Sequence, residues 1–179
     1  MTFIITILIS STLLGLSTTQ IFPNLTGCEP KLGDCSFFRC MDNTIPCGDG
    51  GYALGYGIKM CEGFQRKKSS FSLAGQQWLD DVLFCEQTAL QPWSVPNPFY
   101  TCSTLESAGA VHHSNCWTKS SPTYCSLSPE DLSNFLVTAR QSVMPPVTFA
   151  SLIKPCDVVR ECGLDFYDEV LLDTLLRVD

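Results

Sequence analysis

Apolar side chains recur every three or four positions along several stretches of the chain, a spacing that predicts amphipathic α-helices. The clearest stretch spans residues 70–91 and stops at Pro92, because proline cannot continue a helix. Its repeating apolar positions are Phe71, Ala74, Trp78, Val82, Cys85 and Ala89. We therefore predict a helix over residues 70–91 with one buried face.

Two further helices are predicted from their start signals. Ser103 and Glu106 have the spacing of a capping box, which predicts a helix continuing through Cys116. Ser128 before Pro129 predicts another, because serine caps a helix and proline fits its first turn. That helix is expected to end at the Pro145-Pro146 pair. Shorter helices are predicted within residues 31–41, 148–154 and 164–178.

No stretch shows the alternation of apolar and polar residues that is typical of a β-strand. The sequence therefore predicts an all-α fold. Residues 48–57 contain five glycines and are predicted to form a flexible turn, over which Tyr52 and Tyr56 could pack. This segment fits neither the phosphate-binding P-loop nor the EF-hand pattern.

Residues 1–19 carry no charged side chain and are mostly apolar from Phe3 to Leu16. This pattern predicts a secretory signal peptide, cleaved before Thr18 or Gln20. The alternative is an uncleaved membrane anchor, which polar residues within the apolar run disfavour. We predict a secreted, extracellular domain over residues 20–179.

Composition narrows the class of protein. Apolar residues make up 45% of the chain and charged residues 16%, which argues against a disordered chain. The formal net charge is −7, from 18 acidic and 11 basic residues. This charge argues against binding to nucleic acid or to an anionic membrane surface.

Eleven cysteines all follow residue 27, and in the secretory pathway such a set predicts a framework of disulfides. A zinc site is the alternative, but no two cysteines have the close spacing typical of zinc ligands. An odd number leaves one cysteine over, either bridging to a second chain or buried as a free thiol. We predict a compact, disulfide-braced helical domain without a metal or cofactor.

Several surface features have both a structural and a functional interpretation. Asn24 begins the N-x-S/T sequon of the chain and is predicted to be glycosylated. The basic run at residues 66–68 is predicted to be a solvated turn, with a heparin or receptor contact as the alternative. Trp78, Trp93 and Trp117 are expected in the core, although a tryptophan near the proline-rich connector at residues 92–101 could anchor a partner.

His112 and His113 form the histidine pair of the chain. The segment 113–116 is similar to the catalytic helix of secreted phospholipases A2, and residues 47–51 are similar to their calcium loop. Those enzymes have aspartate where this chain has Ser114, and 62 residues separate the two segments here. We expect no carboxylate beside either histidine, hence packing roles and no enzymatic activity.

The cysteine series as a whole resembles stanniocalcin, a family of secreted glycoprotein hormones. The motifs that carry the resemblance are C-S-F-F-R-C at 35–40, C-x-x-F at 61–64, F-x-x-x-G-Q at 71–76 and C-S-T at 102–104. The resemblance covers residues 28–162 and implies an all-helical, disulfide-bonded signalling protein. The glycine-rich loop is longer than in the family, and the family's sequon within the early cysteine cluster and its long polar tail are absent.

The resemblance also implies a pairing of the cysteines. Cys162 would be left over, and it would form the interchain bond of a disulfide-linked homodimer. The implied pairs are Cys28–Cys40, Cys35–Cys61, Cys47–Cys102, Cys85–Cys116 and Cys125–Cys156.

The function that the resemblance implies is that of a hormone acting in calcium and phosphate homeostasis, through a receptor or extracellular protein that the sequence does not identify. Some members of the family inhibit a secreted metalloproteinase. The alternatives are a secreted phospholipase A2-like hydrolase and a cysteine-rich toxin or defence protein.

Overall fold

The computed structural model describes residues 27–143, which form five α-helices and no β-strand. The predictions of an all-α fold and of a disulfide-braced domain are thus confirmed. Within this range, no helix is both long and apolar enough to cross a membrane. The helices are α1 (Ser36–Thr44), α2 (Ile58–Lys67), α3 (Leu73–Leu90), α4 (Cys102–Lys119) and α5 (Pro129–Val143).

The helices pack mainly as two pairs, α3 with α4 and α2 with α5. In the second pair, the rings of Phe64 and Phe135 stack with their centroids 5.2 Å apart. Trp78 is fully buried and its ring lies 5.6 Å from that of Phe135, so aromatic contacts join the two pairs into one core. Trp117 is also buried, as expected.

Of the two predicted caps, that of α5 at Ser128 is confirmed and that of α4 is wrong. Helix α3 begins at Leu73, three residues after the predicted start, and Ser72 is its cap. Ser72 and Ser128 each accept a hydrogen bond from a backbone N–H three residues later, which caps α3 and α5. The capping box predicted at Ser103 is wrong, because Thr101 and Thr104 form it instead. Helix α4 therefore begins at Cys102, one residue before the predicted cap.

The prediction of a flexible turn at residues 48–57 is wrong. Gly48–Gly50 form a turn of 3₁₀-helix, and Tyr52–Gly57 form a π-helix that runs directly into α2. Its glycines serve close packing: a Cβ at Gly57 would overlap the ring of Phe38. The segment packs against Phe38 of α1 and against α4. Helix propensity depends only on local sequence, so it does not reveal these tertiary contacts.

The remaining predictions concern the shorter helices and the two ends of the chain. The short helix expected within residues 31–41 is α1, which starts and ends later. Helix α2 was not predicted from apolar spacing, although the resemblance implied a helix with the C-x-x-F motif. The signal peptide, Asn24, and the helices predicted at 148–154 and 164–178 lie outside the described residues.

Candidate functional site

Four disulfides connect the elements of the described domain. They are Cys28–Cys40, Cys35–Cys61, Cys47–Cys102 and Cys85–Cys116, with Cα–Cα distances of 5.7 to 5.8 Å. These are the same four pairs that the family resemblance implies. Cys125 is also disulfide-bonded, whereas Cys156 and Cys162 lie outside the described residues.

The Cys85–Cys116 bridge brings a carboxylate to the histidine pair. Nε2 of His113 lies 3.5 Å from Oε1 of Glu86, the residue after Cys85. The same carboxylate oxygen accepts a 3.1 Å hydrogen bond from the indole nitrogen of Trp117. The expectation that no carboxylate lies beside a histidine is therefore wrong, because it considered only neighbours along the sequence.

Tyr52 completes this buried cluster from the π-helical segment. Its hydroxyl lies 3.0 Å from Nε2 of His113, within hydrogen-bond distance. A Cβ at Gly109 would overlap the Tyr52 ring, so the glycine in α4 admits the tyrosine. The ring of Tyr56 lies 5.0 Å from the imidazole. The tyrosines thus pack against α4, rather than over a flexible turn.

The two tyrosines of the cluster have raised pKa values. Burial, and then the nearby Glu86 carboxylate, raise the pKa of both Tyr52 and Tyr56 well above the usual value. Both phenols therefore stay neutral over the physiological range. Burial lowers the pKa of His112, and the neighbouring His113 lowers it further.

The cluster is largely closed to solvent. The His113 side chain is 14% exposed and that of Glu86 is 9% exposed. Nε2 of His113 already faces two protein groups, so this nitrogen joins α4 to α3 and to the π-helical segment. These contacts fix the three elements relative to one another. His113 thus packs at the edge of the core, between α4, α3 and the π-helical segment.

One of the two phospholipase-like segments, at residues 113–116, lies beside the residues that follow the other. The π-helical segment directly follows residues 47–51, and its tyrosines contact His113 of α4. Among residues 27–143, no group of three or more histidine, cysteine, aspartate or glutamate residues could hold a metal ion.

The basic run at residues 66–68 divides between two environments. Nζ of Lys68 forms a 2.6 Å ion pair with Asp80 that ties the middle of α3 to the turn that precedes this helix. Arg66 faces an open groove of about 440 Å³ beside α1 and α2. Arg39 forms a 3.0 Å ion pair with Glu62 on the wall of the same groove. The wall of the groove therefore carries two basic side chains, Arg39 and Arg66, and two acidic ones, Asp34 and Glu62, so its charges balance.

The proline-rich connector carries an exposed aromatic residue that the sequence analysis did not single out. Trp93 is partly buried and stacks on Tyr100, with ring centroids 4.3 Å apart. Phe99 is 82% exposed at the tip of this loop. Phenylalanine adjacent to Pro98 in an uncharged stretch is the signal that could have identified it.

Comparison of the chain with protein-family models, with curated proteins and with solved structures finds no match.

Proposed function

We propose that this chain is a secreted, stanniocalcin-like glycoprotein that acts as an extracellular signalling ligand. The observation that carries the proposal is the cysteine pairing. Eight cysteines can pair in roughly 105 ways. The four pairs in the structure are those that the resemblance implies.

The burial of the titratable side chains around His113 supports the same proposal. The side chains of His113 and Glu86 are 14% and 9% exposed, and they contact other side chains of the protein. A ligand recognises its partner through its surface, and disulfides let a modest core hold that surface in place. The signal peptide at residues 1–19 would deliver the chain to the compartment where these bonds form.

The finer parts of the proposal concern the oligomer, the glycan and the physiological role. Cys162 forms the interchain disulfide of a homodimer, and Asn24 carries an N-linked glycan. The partner is a cell-surface receptor or an extracellular protein. The role is in calcium and phosphate homeostasis.

Uptake of calcium and phosphate by epithelial cells tests this role. The secreted full-length protein is added at increasing concentration, and uptake of each radiolabelled ion is followed beside binding of the labelled protein. Saturable binding with changed uptake is expected, and the reduced and alkylated protein serves as the inactive control. Absence of both saturable binding and an uptake change would overturn the proposal, and binding without any uptake change would overturn the homeostatic role.

Gel electrophoresis tests the dimer and the glycan. Without reductant, the secreted protein should run at twice its monomer mass, and Cys162→Ser should run as a monomer. Removal of N-linked glycan by an endoglycosidase should increase the mobility of the wild type and leave Asn24→Gln unchanged. A monomeric wild type, or a wild type insensitive to the glycosidase, would overturn the respective claim.

One observation favours a second candidate, a secreted phospholipase A2-like hydrolase. The imidazole of His113 has a carboxylate neighbour and lies against the segment that follows the loop-like sequence at 47–51. Calcium-dependent release of fatty acid from phosphatidylcholine vesicles, abolished in His113→Ala, would favour this candidate. We prefer the ligand because Nε2 of His113 already faces Tyr52 and Glu86. A toxin or defence protein would act on target cells without regulating ion uptake.

A further inference from the structure

Phe99 projects into solvent from the loop that joins α3 to α4. Its side chain is 82% exposed, whereas the next most exposed phenylalanine among residues 27–143, Phe84, is 42% exposed. A single exposed apolar residue is common on protein surfaces and needs no explanation. The loop that holds Phe99, however, has two further properties that together indicate a recognition site.

The first property is that the loop is held in one shape without using the Phe99 ring. Oδ1 of Asn97 accepts a 3.0 Å hydrogen bond from the Phe99 N–H, and the Asn97 carbonyl accepts one from the N–H of Tyr100. Tyr100 stacks on Trp93 at the base of the loop. Prolines at positions 92, 96 and 98 restrict the backbone further.

Both ends of the loop are also anchored in the domain. At its start, the hydroxyl of Ser94 accepts a 2.7 Å hydrogen bond from the N–H of Cys28 and donates one to the carbonyl of Gln91. At its end, the capping box of Thr101 precedes Cys102, which is bonded to Cys47. A residue presented on such a support loses little conformational entropy on binding.

The second property is the absence of charge. No charged residue occurs from Gln87 to Leu105, a run of nineteen residues in a chain that is 16% charged. The centres of protein–protein interfaces are depleted in charged residues and enriched in aromatic ones. The loop has this composition, and a pocket that accepts it should be apolar and uncharged.

We propose that Phe99 is the anchor residue that inserts into an apolar, uncharged pocket of the protein receptor, an inference that rests on the proposed signalling function. A lipid surface fits less well, because residues 87–105 offer no basic side chain to anionic headgroups and the protein has a net charge of −7. The loop presents a single projecting ring rather than the broad apolar face of membrane-binding helices.

Binding of the labelled, secreted full-length protein to intact cells tests the proposal. Phe99→Ala should raise the apparent Kd by at least about thirtyfold, the range typical of a central anchor residue. The matched control is Leu73→Ala, which removes a side chain that is 86% exposed at the start of α3, about 25 Å along that helix from the loop. Its apparent Kd should stay within about twofold of the wild type.

Circular dichroism and thermal unfolding should show that both variants fold as the wild type does, because neither side chain is buried. A second variant, Asn97→Ala, leaves the ring in place but removes its support, and it should weaken binding by several-fold. Trypsin treatment of the cells should abolish the binding, since the partner is a protein.

The outcomes separate this inference from the function on which it rests. If the wild type shows no saturable binding, the proposed function fails. If the wild type binds and Phe99→Ala binds equally well, the function stands and the anchor role is wrong. Equal loss in Leu73→Ala would also contradict a specific anchor. Phe99-dependent binding to protein-free phosphatidylcholine vesicles would assign the loop to a lipid surface. Phe99-dependent dimerisation of Cys162→Ser, which keeps the disulfides of the domain, would assign the loop to a second copy. Either result would overturn the proposal.

Discussion

The indole Nε1 of Trp117 donates a 3.1 Å hydrogen bond to Oε1 of Glu86, which joins α4 to α3 one residue away from the disulfide between Cys85 and Cys116. Both side chains are buried. A carboxylate that is shielded from water requires such partners, because its desolvation is costly. The cross-link and the polar cluster therefore stabilise the same helix interface.

Replacement of Glu86 should destabilise the protein through this interface. In Glu86→Ala, the indole N–H of Trp117 loses its acceptor inside the core, and we expect a loss of about 2–3 kcal/mol in the free energy of unfolding. Glu86→Gln retains an acceptor and should lose less. Urea denaturation with the disulfides intact measures both values.

The control for this prediction is Glu106→Ala, because Glu106 is an exposed carboxylate on α4. Its effect should stay within about 0.5 kcal/mol of the wild type. Equal stability of Glu86→Ala and the wild type would show that the indole does not depend on this acceptor.

Asp131 should be a second point of high sensitivity, because it joins the starts of two helices. Its side chain is 1% exposed and accepts hydrogen bonds from the N–H and hydroxyl of Ser72 and from the hydroxyl of Ser128. Asp131→Ala should cost about 3 kcal/mol. Thermal and urea unfolding should show a much smaller effect in the exposed neighbour, Glu130→Ala. Similar losses in the two variants would indicate a general charge effect.

Gly109→Ala should reverse the usual effect of that substitution in a helix. Alanine normally stabilises a helix interior by about 1 kcal/mol relative to glycine. Here the added methyl group would overlap the ring of Tyr52, and overpacking should cost about 1–3 kcal/mol instead. Gly50→Ala is the control, because no atom lies within 4 Å of a Cβ at that position. A more stable Gly109→Ala protein would contradict the close packing of Tyr52 on α4.

Alkaline pH should destabilise the protein through the buried tyrosines. The pKa values of Tyr52 and Tyr56 are raised in the folded protein, chiefly by burial. The stability they contribute is present below the unfolded pKa of about 10 and is lost as the pH rises toward the folded values. The free energy of unfolding should fall above pH ~10, and less steeply in Tyr56→Phe. An identical slope in that variant would contradict the raised pKa of Tyr56.

The apolar period was sufficient to predict α3 close to its observed bounds, and the apolar period together with the cap at Ser128 was sufficient to predict α5. Both helices bury one clear stripe, and a serine begins each of them. The glycine-rich segment was not predictable in this way, because its helical form depends on packing against Phe38 and α4. Local sequence indicates conformational freedom there, whereas tertiary contacts remove it.

The cluster around His113 could not be predicted from local sequence either. Glu86 precedes it by 27 residues, and Tyr52 by 61, so no local motif contains them. The bond between Cys85 and Cys116 was the available signal, since it places the flanking residues of both cysteines at one interface. Phe99 lay within the connector that was described only as proline-rich, although the absence of charged residues from it was visible in the sequence.

The central claim is that oxidised cysteines cross-link a helical domain in a defined pattern, and disulfide mapping of the secreted protein by mass spectrometry tests it most directly. Trypsin cleaves after Lys31, Arg39, Lys59, Lys68 and Lys119, and cleavage at Asp42, Glu86 and Glu106 separates the remaining neighbouring cysteines. The account predicts linked peptides for Cys28–Cys40, Cys35–Cys61, Cys47–Cys102 and Cys85–Cys116. Free thiols at these positions, or peptides linked in other pairs, would contradict it.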